Sequence, residues 1–337
     1  MKKIIFLILT IFLVGCTSQQ TAQKKEFDPY IGTNGIVMEF SKNAPPEKIF
    51  QKTTFPVLIK LSNVGAENIK DAYLVLSFER DYISSLKLQS NSMAQQAEDG
   101  RVIFSVDGKS RLNQQGDNNL LEFLGISGFL EQQSEQKQTS IAATMCYPYK
   151  TTLSTTVCID PDISGISKDS KVCKVQNMEF KSGQGAPISV TRIDPIMLAD
   201  IDEKRIIPQF MIFFENSGKG IPVNPKKIQN ACSSGKEDGK DNELLNIAFV
   251  KVFASGDREL DCKPDDRQND KSMEEATIKF RDKKDYIRCK FKQGEDTEYM
   301  QVLRTTPAFT SPLKIEVTYG YMDTETAVFT MIKPLGH

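Results

Sequence analysis

Phe55-Pro-Val-Leu-Ile-Lys-Leu-Ser62, running into Asn63-Val-Gly65, decides the fold. Val57, Ile59 and Leu61 alternate with more polar neighbours, the two-residue period of a half-buried strand. Asn63 tolerates the left-handed region and glycine occupies it freely, so the strand should end in a tight turn. The same text recurs downstream. Phe210, Ile212 and Phe214 share a face and lead into Asn216-Ser-Gly218. Each copy follows a similar opening strand, Gly35-Ile-Val-Met-Glu-Phe40 and Ile188-Ser-Val-Thr-Arg-Ile193. This match reads as an internal repeat.

Working outward, strands are expected at 72–79, 101–106, 119–126, 138–147 and 152–159 in the first copy. In the second they fall at 246–253, 274–280, 285–292, 312–320 and 325–332. Polar, Gln-rich 89–100 and 131–138 read as surface loops, as do charged 233–243 and 262–272. Residues 160–171 lack a core pattern and mark the junction. No segment carries a sustained apolar period of 3.6. The expectation is an all-β chain of two tandem β-sandwiches, domain 1 over 29–165 and domain 2 over 172–335.

The N-terminus supplies an address. Lys2 and Lys3 precede an apolar run and then Leu13-Val-Gly-Cys16, the layout of a signal peptide over 1–15. The run is shorter than the roughly 20 apolar residues of a membrane span. Leu13-Val-Gly-Cys16 resembles the lipobox of prokaryotic lipoproteins. That resemblance implies cleavage before Cys16 and a diacylglycerol, palmitate-type anchor on its thiol. Two acyl chains hold a protein stably on a bilayer. Residues 16–28 then form a flexible tether, since they carry almost nothing to bury.

The 337 residues carry 43 basic and 44 acidic side chains. Without Lys2 and Lys3 the balance is 41 to 44, a net of about −3. This gives no footprint for nucleic acid. Besides Cys16 there are Cys146, Cys158, Cys173, Cys232, Cys262 and Cys289. Six cysteines in an exported chain read as three disulfides with fifteen connectivities. The segment between Cys146 and Cys158 looks like two short strands around a turn, making Cys146–Cys158 the leading pair. Cys173 would then join Cys232, Cys262 or Cys289. Free buried thiols are the alternative.

Catalytic constellations are sparse. The sole histidine, His337, is the last residue, which argues against Ser-His-Asp and Cys-His machinery. No Cys-x-x-Cys pair exists, so no metal site and no cofactor are expected. Ser84-Ser-Leu-Lys87, Ser233-Ser-Gly-Lys236 and Lys181-Ser-Gly183 echo serine–lysine enzymes without the helix that chemistry needs. Asp160-x-Asp162-x-Ser164-Gly165 opens like a calcium loop, but its twelfth position is Lys171. Asp160, Asp162 and Asp169 could still hold calcium between domains. Glu274-Glu275 and Asp265-Asp266 sit in charged loops rather than across a recognisable cleft. Gly183-Gln-Gly185-Ala-Pro187 lacks the ending of a phosphate loop and reads as the linker into domain 2. Tyr147 and Tyr149 either anchor a partner or, preferably, pack against the Cys146–Cys158 bridge.

The strand–Asn-x-Gly–strand text is similar to the immunoglobulin-like modules of the CARDB type on prokaryotic surfaces. The whole layout resembles lipid-anchored archaeal surface proteins, with a Cys146-Tyr-Pro-Tyr149 hairpin and a closing Leu313-Lys-Ile-Glu-Val-Thr-Tyr-Gly-Tyr321. The absence of Trp departs from antibody domains. The resemblance implies a non-catalytic protein on the extracytoplasmic face of the membrane, binding or spacing a surface protein or glycan. A structural subunit of a surface assembly is the second reading, and an extracytoplasmic hydrolase the third.

Overall fold

The computed structural model describes residues 27–334 other than 90, 92, 167–169, 201–203, 233–243, 265–275 and 292–301. The first half contributes β1 (Ile36–Phe40), β2 (Lys48–Phe50), β3 (Thr54–Asn63), β4 (Ile69–Phe78), β5 (Ile83–Leu88), β6 (Ala94–Gln96), β7 (Val102–Val106), β8 (Asn118–Ser127) and β9 (Gln136–Ile159). The second contributes β10 (Met178–Glu179), β11 (Ile188–Ala199), β12 (Arg205–Asn216), β13 (Ile221–Val223), β14 (Ile247–Ala254), β15 (Arg258–Glu259), β16 (Asp261–Pro264), β17 (Ala276–Lys279), β18 (Lys284–Lys290), β19 (Val302–Leu303) and β20 (Phe309–Ile332). A 3-10 turn (Pro225–Lys227) and α1 (Ile228–Ala231) are the helical elements among the described residues. The Asn224 side chain caps the turn by accepting from Lys226 N.

The all-β sandwich architecture matches expectation. Sheet β1-β3-β8-β5 packs on one end of a ten-stranded sheet, and β10-β11-β12-β18-β16 packs on the other. The two outer sheets have one topology. β3 and β12 each pair with the opening strand and with β8 or β18. Alternation drives this. Val57, Ile59 and Leu61 in β3, and Phe210 and Ile212 in β12, are fully buried. Each such side chain contributes about 1.5–3 kcal/mol by leaving water. Their outward neighbours stay wet.

The large sheet runs β15-β14-β20-β9-β4-β7-β6. Its spine corrects two expectations. Segments 138–147 and 152–159 are one strand, β9, and 312–320 and 325–332 are one strand, β20, each of 24 residues. The two pair antiparallel throughout, from Phe309 opposite Ile159 to Ile332 opposite Gln136. A ribbon that long spans about 80 Å at roughly 3.4 Å per residue. The turn expected after Cys146 does not form, because β20 offers β9 an unbroken partner. Pro148, inside the segment read as a turn, is tolerated because β4 pairing stops at Cys146. Pro312 likewise sits just past the last β14 pair, Ala254 with Leu313. The expected loops are also shorter: β6 lies inside 89–100, and β9 begins at Gln136.

The division expected at 160–171 separates chain segments but not strands. The start of β9 pairs with β4 of the first half, and its end lies beside β11 of the second. The start of β20 pairs with β14, and its end pairs in parallel with β2 of the first half. Each half therefore lends the tail of its last strand to the other. One hydrophobic core, from Val57 through Tyr149 to Val252, runs through both.

Candidate functional site

At the centre of the ribbon, Tyr147 faces Tyr321 and Tyr149 faces Tyr319. All four are buried. Their rings contact one another at centroid distances of 5.8–6.2 Å. Three hydroxyls bond backbone and the fourth bonds the Asn216 side chain. Tyr147 Oη accepts from Ile36 N at 3.2 Å, and Tyr319 Oη accepts from Ile188 N at 3.2 Å, at the matched strand starts. Tyr149 Oη accepts from Ala66 N at 3.0 Å and donates to Gly185 O at 2.6 Å, tying the first half's turn to the second half's opening. Tyr321 Oη donates to Asn216 Oδ1 at 3.0 Å. Burial pushes all four phenols above their ordinary pKa, so they act as neutral hydrogen-bonding groups. The cluster is structural. Tyr147 and Tyr149 are neither exposed anchors nor packed on a Cys146–Cys158 bridge.

The repeated Asn-x-Gly turns explain why these tyrosines are there. Asn63 Nδ2 donates to Glu67 O and Asn216 Nδ2 to Gly220 O, each four residues on, each at 2.8 Å. Gly65 lies against Tyr149 Oη and Gly218 against Tyr321 Oη, so closely that neither has room for a Cβ. The glycines serve close approach of a buried phenol.

The disulfides are Cys146–Cys232, Cys158–Cys173 and Cys262–Cys289. The Cys146–Cys158 expectation fails because both lie on β9 with no turn between them. Twelve residues of extended strand separate them by about 40 Å. Cys173 takes Cys158, not one of the later three. Cys146 points to the outer face of the ribbon, where Cys232 straps α1 over it beside Val223 and Ile228. Cys262 and Cys289 are direct neighbours across β16 and β18.

The remaining sequence candidates do not assemble. Lys171 Nζ sits 2.7 Å from Asp160 Oδ2 and 3.1 Å from Asp162 Oδ2, so the lysine occupies the place of a cation between the two aspartates. Those hydrogen bonds raise its pKa. Ser84 and Lys87 are three places apart along extended β5, not one helical turn. Gly183 to Pro187 does lead into β11, and Gly32 pairs with Gly183. Cys16, Asp169, Ser233, Lys236, Asp265, Asp266, Glu274, Glu275 and His337 lie outside the described residues.

What the sequence did not single out is an open groove of about 770 Å³ on the outer face of β11, β12 and β18. A cross-strand row crosses it. The Arg192 guanidinium lies 4.0 Å from the centre of the Phe213 ring, and Phe213 meets Tyr286 at 5.5 Å, tilted by 31°. Thr33, from the segment that enters beside Gly183, forms part of one wall. Lys181, noted only as a weak motif, lines the same groove. The alternation that placed Ile212 and Phe214 inward necessarily turned Phe213 outward, the one signal available for it.

No protein-family model matches the chain, and no curated protein is significantly similar to it in sequence. Among solved structures, BspA_C_mut aligns over 90% of this chain and 99% of its own at 9% identity, with a TM-score of 0.22. A DUF4466 family protein from Parabacteroides merdae aligns over 88% and 99% at 8% identity, with a TM-score of 0.18. The CupB6 tip adhesin from Pseudomonas aeruginosa aligns over 91% and 100% at 10% identity, also with a TM-score of 0.18.

Proposed function

We propose that the chain is a non-catalytic, lipid-anchored protein of the extracytoplasmic surface that binds an extracellular ligand, in the manner of the CARDB-type modules its sequence resembles. Export is supported by the Leu13-Val-Gly-Cys16 leader and by the pairing of all six remaining cysteines, since disulfides persist in oxidising surroundings. The observation that carries binding over spacing is where the tether meets the body. Gly32 N donates to Ser182 O and Gly185 N to Gly32 O, next to the tyrosine cluster at the middle of the ribbon. A spacer holds its anchor at one end and its load at the other. Here about 40 Å of ribbon extends either way from the point of attachment, and the groove lies next to it.

Two results test this. The protein should sediment with membranes and incorporate labelled palmitate, and Cys16→Ser should release it. Retention of that variant would sink the anchor. Cross-linking on intact cells should recover extracellular material on the second half's outer sheet. A structural subunit is favoured by one observation, the outward row of Leu120, Leu124 and Ile126 on β8, each 42–51% exposed. Recovery of one protein at equal amount, cross-linked through β8, would support that reading.

A further inference from the structure

The shared topology lets the two outer sheets be compared position by position. Asn63 N donates to Asp117 O, just before β8, and Asn216 N donates to Lys283 O, just before β18. Three residues before each Asn, the outward row is Glu39–Lys60–Leu120 in the first half and Arg192–Phe213–Tyr286 in the second. The same architectural place thus carries an ordinary solvated pair in one copy and a bedded guanidinium with two rings in the other. The lining of the groove is thus not repeated at the equivalent place of the first copy, so the fold by itself does not dictate it.

Its walls define a chemistry. Three of the four cations lie near carboxylates: Lys181 is 3.2 Å from Glu179, Arg192 is 3.0 Å from Asp194, and Lys284 is 3.9 Å from Glu215, while the fourth, Arg281, shares the groove with Asp285. An anionic ligand would have to displace a carboxylate, and a cationic one a lysine or arginine. A neutral polyol meets both without displacing charge, because each hydroxyl donates to a carboxylate and accepts from a cation. Ser189 and Ser217, 3.3 Å apart, add hydroxyls that can do either. The floor supplies apolar ring surface, Tyr286 beside a Phe213 ring that Arg192 covers on one face, and aromatic surface attracts the polarised C–H bonds of a sugar ring. The groove's volume falls within the roughly 300–1,000 Å³ of small-ligand sites. An extended peptide fits less well, since it docks on a sheet edge through free backbone groups. The floor here is a sheet face, with β12 hydrogen-bonded between β11 and β18.

We propose that this groove binds a neutral oligosaccharide. The inference rests on the surface-binding reading above and adds the ligand class and the place. The test uses the mature chain carrying Cys16→Ser, titrated calorimetrically with maltohexaose, cellohexaose and mannohexaose, with hexagalacturonate and an unstructured hexapeptide as controls. At least one neutral hexaose should bind. Phe213→Leu and Tyr286→Leu should each weaken it at least tenfold, with Lys60→Ala and Leu120→Ala on the equivalent face as unaffected controls. Should the ring variants misfold, Ser217→Arg, at an exposed position, should block the groove with the melting profile retained. Binding to none of the three sugars, binding of hexagalacturonate or peptide alone, or sugar binding indifferent to every groove variant would each overturn the proposal. In those cases the wild-type protein would still cross-link to cell-surface material if the broader reading holds. Loss of that cross-linking would end the broader reading instead.

Discussion

Gly65→Ala tests whether the tyrosine cluster and the Asn-x-Gly turns are one device. An added Cβ would fall on Tyr149 Oη and within 2.9 Å of Asn34 O and Gly185 O. Two backbone oxygens cannot swing aside as a surface side chain could, so overpacking should cost about 1–3 kcal/mol. The phenol must also move, which breaks its bonds to Ala66 N and Gly185 O in a buried site, for about 1–3 kcal/mol more. Gly65→Ala should therefore cost about 2–6 kcal/mol in all. Tyr149→Phe removes the same hydroxyl without the clash and should cost about 1–3 kcal/mol. The double variant counts the lost hydroxyl once, so its cost should fall below the sum by about 1–3 kcal/mol. Guanidinium unfolding followed by circular dichroism measures all three, tryptophan fluorescence being absent. Additivity within about 0.5 kcal/mol, or a Gly65→Ala cost below that, would show that the turn and the phenol do not share one space.

Three further outcomes follow from the same geometry. The four buried phenols keep protons that the unfolded chain releases above about pH 10, so their contribution is intact below that pH and is lost above it, by up to about 1.4 kcal/mol per pH unit each. Tyrosinate absorbance should then rise together with loss of tertiary circular dichroism, and independent titration of all nine tyrosines in folded protein would refute this. Replacing Cys146 and Cys232 together by Ser opens a closure of 86 residues and should cost about 4–5 kcal/mol by chain entropy; non-reducing peptide maps should join Cys158 to Cys173 and Cys262 to Cys289 in both proteins. A fragment of residues 27–165 leaves all of β9 without β20, so size-exclusion chromatography should show dimers or aggregates, and a monomer that unfolds cooperatively would contradict the shared spine.

The strands that read clearly in the sequence are those whose pattern is local. Val57, Ile59 and Leu61 announce β3 because one face is buried and the other wet, and the two Asn-x-Gly turns announce the repeat. The ribbon was legible only in pieces. Lys150 to Thr156 alternates weakly, because both faces of β9 there carry small or polar groups, and Pro148 imitates a boundary. What keeps β9 extended is β20, more than a hundred residues away, and no local window contains that. Disulfide pairing failed for the same reason: the apparent Cys146–Cys158 hairpin depended on a turn that a distant strand removes. The groove was hidden differently. Alternation turns Phe213 outward, but Arg192, Phe213 and Tyr286 are distant in sequence, and no local pattern says that they meet.

The exchange of strand tails bears on how the two halves can differ. β9 and β20 pair about their own midpoint, with Tyr147 opposite Tyr321 and Tyr149 opposite Tyr319. A single half of this design would complete itself by the same pairing with a second identical half, each lending its tail to the other, as in strand-swapped dimers. Joining two such halves in one chain frees them from identity. The parts that close the ribbon correspond between the halves: the Tyr-x-Tyr pairs, the strand starts at Ile36 and Ile188, and Asn63 with Asn216. The parts facing solvent are free of that constraint, and there the halves differ, with Leu120, Leu124 and Ile126 on one face and Arg192, Phe213 and Tyr286 on the other. The matched centre joins two unlike outer sheets through one shared ribbon, and exposed surface lies on those sheets, not among the buried tyrosines.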